Sequence, residues 1–128
     1  MAGARFQVFV FYPERTRPSS VTADDERVMW RFLSANNRSL GQAVDPFMDK
    51  VSCLSALRTL RDGLGSADVL TVRDPRGMWL WRLRVEGADV AVSSRRYQRR
   101  LNAKHAGNSF HRLAAGVSDI NELPIVHF

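Results

Sequence analysis

The chain has 128 residues, 45% of them hydrophobic and 25% charged, with a net charge of +6. Those proportions suit one globular domain with its own core and exclude a disordered or low-complexity chain. No apolar run approaches the roughly 20 residues of a membrane helix, no small-residue cleavage site follows the apolar run at residues 6–12, and the lone Cys53 has no disulfide partner within the chain, so a cytoplasmic protein with no membrane association is expected.

The first β-rich run covers residues 6–12. It is followed by a segment rich in Pro, Ser, Thr and charge, from Pro13 to Arg27, which reads as a surface loop and a candidate contact for a protein partner. Its Asp24-Asp25-Glu26 cluster reads as solvated. Residues 29–35 alternate in the period of a half-buried strand, Asn36-Asn37 sits where a hairpin needs positive φ, and 38–43 is the return strand. The period then becomes helical. Cys53, Leu57, Leu60 and Leu64 stand 4, 3 and 4 apart, with Val51, Leu54 and Ala56 widening the stripe. Asp49 is the expected N-cap and Gly63 or Gly65 the stop.

The same order then recurs. Residues 68–73 form a strand, Asp74-Pro75-Arg76-Gly77 a tight turn, 78–85 a strand, Glu86-Gly87 a hairpin turn and 89–93 its return. A second helical stripe runs through Ala103, Gly107, Phe110 and Ala114, helped by Ala106 and Leu113, and stops at Gly116. Residues 124–128 read as one more short strand. Trp30-Arg31-Phe32-Leu33 aligns with Trp81-Arg82-Leu83-Arg84 at an offset of 51. Phe47 and Tyr97, Cys53 and Ala103, Ala56 and Ala106, and Leu60 and Phe110 align at an offset of 50. The chain therefore reads as a tandem duplication, residues 1–65 and 66–128, within one domain. Its core is expected to hold Trp30, Phe32, Leu83, Cys53, Leu57, Leu60, Phe110 and one or both of Trp79 and Trp81.

These residues resemble the YegP-like family of small uncharacterised proteins. The likeness rests on the strand Trp30 to Ala35 followed by Asn36-Asn37, on Phe47 through Cys53, on Trp79 through Val85, and on Tyr97 through Ala103. It implies an α+β fold in which two β3-α-β units form one sheet with two packed helices and exchanged C-terminal strands. It implies no activity. The sequence departs from the family's pattern at Arg99, where a capping residue is expected at the second helix.

The chemistry legible in the sequence is sparse. Cys53 lies in an apolar stripe, and His105 and His111 are six apart, so no catalytic residue, metal site or cofactor is expected and the protein reads as non-enzymatic. The one concentrated feature is Arg95-Arg96-Tyr97-Gln98-Arg99-Arg100, followed by Lys104. Cations at a helix start oppose its dipole, and an arginine at the cap leaves N–H groups unsatisfied. A bound anion would relieve both, with Tyr97 available for stacking, so Arg95, Arg96, Tyr97, Arg99, Arg100 and Lys104 form a candidate site for nucleic acid or another polyanion. The competing explanation is base composition, which also enriches arginine. The alternative function is a protein-interaction or structural module, monomeric or homodimeric.

Overall fold

The computed structural model describes residues 3–13, 26–117, 120 and 123–127. The elements run β1 (Arg5–Phe11), β2 (Arg27–Leu33), β3 (Ser39–Gln42), α1 (Lys50–Gly63), a 3-10 turn (Leu64–Ser66), β4 (Asp68–Arg73), β5 (Trp79–Val85), β6 (Ala88–Ser93), α2 (Arg100–Ala115) and β7 (Ile125–His127). The architecture is α+β, one mixed seven-stranded sheet in the order β4-β5-β6-β3-β2-β1-β7. All pairings are antiparallel except β1 with β7. The loop from Pro13 to Arg27 and its acidic cluster lie almost wholly outside the described residues.

Each half is built by the same local chemistry. In β1 the alternation of apolar Phe6, Val8 and Val10 with Arg5 and Gln7 turns one side to the core, where they pair with Phe32, Trp30 and Val28. In β4 and β5 the equivalent pairs are Val69 with Leu83, Thr71 with Trp81 and Arg73 with Trp79. The hairpin turns need left-handed backbone, supplied by Asn37 (φ 65°) and by Glu86-Gly87 (φ 49° and 83°). Asp74 closes the β4–β5 turn: its carboxylate accepts the N–H groups of Arg76 and Met78, both at 2.9 Å. A bulge interrupts each hairpin at the same place, between Phe32 and Leu33 and between Leu83 and Arg84.

The core lies between the sheet and the two helices. Phe110 is its centre, stacked on Trp81 at 4.9 Å and on Trp30 at 6.3 Å, with Phe32 edge-on at 5.2 Å. Trp30, Phe32, Trp81, Leu83, Cys53, Leu57, Leu60 and Phe110 are all buried. Two expected stripe residues face solvent instead. Val51, in the first turn of α1, is 76% exposed, and Leu113 lies at the surface. Both flank the helix face that the sheet can reach. His111 ties the second helix to the first, with its Nε2 2.6 Å from the Leu64 carbonyl oxygen.

β7 pairs with β1, at the opposite end of the sheet from the hairpin that precedes α2. After α1 the chain passes through the 3-10 turn directly into β4, with no separate strand between them. The strand that follows α1, β4, pairs with β5, and the strand that follows α2, β7, pairs with β1. Among the described residues nothing pairs with the outer edge of β4.

Candidate nucleic-acid interface

The two helix starts differ in chemistry. At α1, Asp49 has extended backbone and its carboxylate accepts the Ser52 N–H at 2.7 Å. That hydrogen bond holds the Asp49 carboxyl below the usual carboxylate range. At α2, Arg99 has the same extended conformation but makes no side-chain capping bond. The helix therefore begins with a cation where its dipole favours an anion.

Arg95, Arg96, Arg99, Arg100 and Lys104 are all exposed, and Tyr97 is half-buried. They do not act as one uniform cluster. The Arg96 Nε donates to the Asp74 carboxylate at 3.1 Å, which commits that side chain to the β4–β5 turn. Burial pushes the Asp74 pKa up, but the Met78 and Arg76 N–H groups and the Arg96 guanidinium outweigh it and hold the carboxyl below its usual range. The Arg100 Nε donates to Thr71 Oγ1 at 2.9 Å, which draws the guanidinium over β4. Arg95 lies over the Tyr97 ring, 5.7 Å from its centroid. Burial raises the Tyr97 phenol pKa, and Arg95 moderates the rise. A shallow depression of about 300 Å3 lies among Arg100, Leu101 and Lys104. Arg96 therefore has a turn-holding role, whereas Arg95, Arg99, Arg100 and Lys104 present charge outward.

Two residues belong with this group: Trp79, which the sequence assigned to the core, and Arg73, which it did not single out. Tyr97 is tied to Trp79 by a pair of backbone hydrogen bonds, at 2.6 and 2.7 Å. Trp79 in turn pairs with Arg73, whose guanidinium lies 5.9 Å from its ring centroid. One row thus runs Arg73–Trp79–Tyr97 across three chain segments, with Arg95 at its far end. The expectation for Trp79 and Trp81 resolves into two roles: Trp81 is fully buried, and Trp79 is half-buried at the rim. Both point to one face, but α2 covers the position of Trp81 and begins beside that of Trp79. The available signal was the tight turn Asp74–Gly77, which sets Arg73 opposite the start of β5.

The corresponding corner of the first half has the opposite character. The row built by the same pairings is Val10–Val28–Phe47, and Val10 and Val28 are buried. Leu54, at the place in α1 that Lys104 takes in α2, is buried as well. A cleft of about 360 Å3 beside Phe47 is lined mainly by apolar side chains, with Asp45, Thr59 and Asp89. The Arg84 and Arg82 side chains hydrogen-bond Asp89 and hold its pKa down.

Cys53 is buried, and loss of solvation pushes its thiol up to about 12, which disfavours the thiolate. Among the described residues no group of His, Cys, Asp or Glu could hold a metal ion, and no helix is long and apolar enough to cross a membrane.

No protein-family model matches the chain, and no curated protein matches it in sequence. Solved structures do match. The solution NMR structure of UPF0339 protein SO3888 from Shewanella oneidensis superposes with a TM-score of 0.67 at 5% identity, covering 98% of this chain and 93% of that one. The solution NMR structure of yegP from E. coli, a protein of unknown function, superposes with a TM-score of 0.59 at 11% identity, covering 99% of this chain and 94% of that one. At such identities the likeness is one of fold, and it agrees with the likeness carried by the tryptophan strands and helix starts: the fold is YegP-like.

Proposed function

We propose that this protein is a non-enzymatic binding module for a polyanion, nucleic acid foremost, held at the start of α2. One observation carries the reading. The α2 start lacks a side-chain cap and is ringed by Arg95, Arg99, Arg100 and Lys104, while the α1 start is capped by Asp49 and has Lys50 as its one neighbouring cation. Free N–H groups and outward guanidinium groups together bind phosphate. Arg96 and Tyr97 support the site from below.

The test is fluorescence anisotropy with a short labelled oligonucleotide at low and moderate salt. Binding should weaken steeply with salt. The double variant Arg99→Ser, Arg100→Ala should bind less tightly and lower the salt slope by about 0.7 per lost single-strand phosphate contact. A wild-type protein that binds no polyanion at low salt would overturn the reading. The outer edge of β4, unpaired among the described residues, favours a second reading, a protein-interaction module that adds an extended segment to the sheet. Binding to such a partner should depend little on salt.

We further read the chain as one cytoplasmic domain of two repeats, residues 1–65 and 66–128, with β7 as a strand exchanged from the second repeat to the first. Support comes from the paired bulges, from the matching bridges Val28–Phe47 and Trp79–Tyr97, and from the offsets of 51 and 50 in sequence. The loop from Pro13 to Arg27 stays a candidate partner contact, and the protein a monomer or homodimer.

A further inference from the structure

Three features of the second half converge on the rim beside α2. Where the first half has Val10, Val28 and Leu54, all buried, the second has Arg73, Trp79 and Lys104. Where the first has Asp45 and Asp49, the second has Arg95 and Arg99. At these five places an apolar or acidic side chain gives way to a cationic or aromatic one, whereas Lys50 and Arg100 are cations in both halves. Arginine enrichment spread by base composition would not select a single corner, nor would it place a tryptophan there.

The aromatic part of this row reaches the surface, as the other tryptophans do not, with one guanidinium over each ring. Trp30 and Trp81 are 1% and 0% exposed. Trp79 is half-buried at the end of β5, between Arg73 and Tyr97, and Tyr97 carries Arg95. Cations alone would recognise any polyanion. Two aromatic rings interleaved with guanidinium groups add π-faces, which only a ligand with unstacked bases can use. A duplex keeps its bases stacked inside and offers this row only its backbone.

We propose that the ligand is single-stranded nucleic acid, with phosphates on Arg95, Arg99, Arg100 and Lys104 and a base stacked at Trp79 beside Tyr97. Arg73 is a positioning residue that holds the indole. The proposal rests on the polyanion reading above and adds selectivity for the single strand.

The test uses the whole protein and three probes: a short oligothymidylate, a duplex of the same length, and inorganic polyphosphate, which has charge but no bases. Trp79 is the tryptophan at the rim, so oligothymidylate should quench the indole fluorescence and polyphosphate should not. The single strand should bind about tenfold more tightly than the duplex, the size of one base–aromatic stack. Trp79→Val installs the residue found at the corresponding place in the first half. It should abolish both the quench and the preference while leaving polyphosphate affinity unchanged. Trp79→Phe keeps a ring and should retain most of the preference, which guards against a misfolded valine variant. Equal binding of all three probes would sink single-strand selectivity and leave the polyanion reading standing. Binding of none would sink both. A preference that survives in Trp79→Val would show that bases are read elsewhere.

Discussion

Replacing Gly107 by alanine should destabilise the protein, although alanine is the better helix former. In an open helical position the exchange gains about 1 kcal/mol. Gly107 is not open. A Cβ there would stand 2.5 Å from Val69 Cγ1, 2.9 Å from Trp81 Cγ and 3.0 Å from Trp81 Cβ. The tryptophan atoms sit next to the backbone of β5 and cannot swing aside. The ring beyond them is held too, because a Cβ on Gly41 of β3 would lie 2.7 Å from Trp81 Cη2. Trp81 thus occupies a slot between a helix and a strand that two absent side chains leave free. Overpacking such a site costs about 1–3 kcal/mol, and contacts this close belong in the upper part of that range. After the helical gain, the net loss should be about 1–2 kcal/mol, or roughly 3–10 °C in melting temperature for a chain this size. Thermal unfolding followed by circular dichroism reads it directly. Gly65→Ala is the control, since nothing lies within 4 Å of a Cβ built there, and it should be nearly neutral. In a Val69→Ala background the penalty should shrink, because the nearest clashing methyl is gone. A Gly107→Ala protein that melts higher than wild type would refute the tight α2–Trp81 packing.

Two further outcomes follow from the ends of the elements. Asp49 is held below its ordinary pKa by the Ser52 N–H, so its contribution is present above the unfolded value, about 3.9, and is lost as pH falls through the lower folded value. Asp49→Asn keeps a cap without the titration, and should flatten the acid limb of a stability–pH profile measured by denaturant; an unchanged limb would mean the cap does not contribute. Deleting residues 123–128 removes β7 from β1, where Ile125, Val126 and His127 pair with Val8, Phe9 and Val10. The truncated protein should melt several degrees lower, and an unchanged melting temperature would show that the strand adds nothing.

Most of the fold was legible because local chemistry and tertiary packing agree. The stripe of Cys53, Leu57 and Leu60 is buried as its spacing requires, and Asp49 caps where an acceptor is needed. Asn37 and Glu86-Gly87 take the positive φ that their hairpins demand. The misreadings share one cause: periodicity gives a face but not how far the facing layer extends. Val51 and Leu113 lie on the apolar side of their helices but beyond the sheet's reach. Trp79 and Trp81 alternate onto one face, yet α2 covers only the second. The pairing of β7 was legible, because an apolar tail after a helix signals a strand, while the strand it joins, β1, was not set by local sequence. Of the candidate site, the cations could be read as a run, but their division of labour could not. Arg96 is drawn to Asp74 and Arg100 to Thr71 by contacts 22 and 29 residues away in sequence.

The α2 corner contrasts with the matching corner of the molecule's own other half. α1 shows that this fold can close the same corner with a carboxylate cap and buried valines and leucine. Nothing in the packing therefore requires Arg99 at a cap position, where it makes no capping bond and faces the positive end of the helix dipole. A residue retained for folding should lose stability when replaced; one retained for a ligand should gain it. Arg99→Ser restores a cap acceptor and removes a repelling charge, so the free protein should gain about 0.5–1 kcal/mol, read as a higher denaturant midpoint with an unchanged slope. The same variant should bind polyanion more weakly. Stability and affinity moving in opposite directions marks Arg99 as serving a ligand. If both fall together, Arg99 holds the corner in place, and the basic surface around it is a consequence of the fold rather than a reason for it.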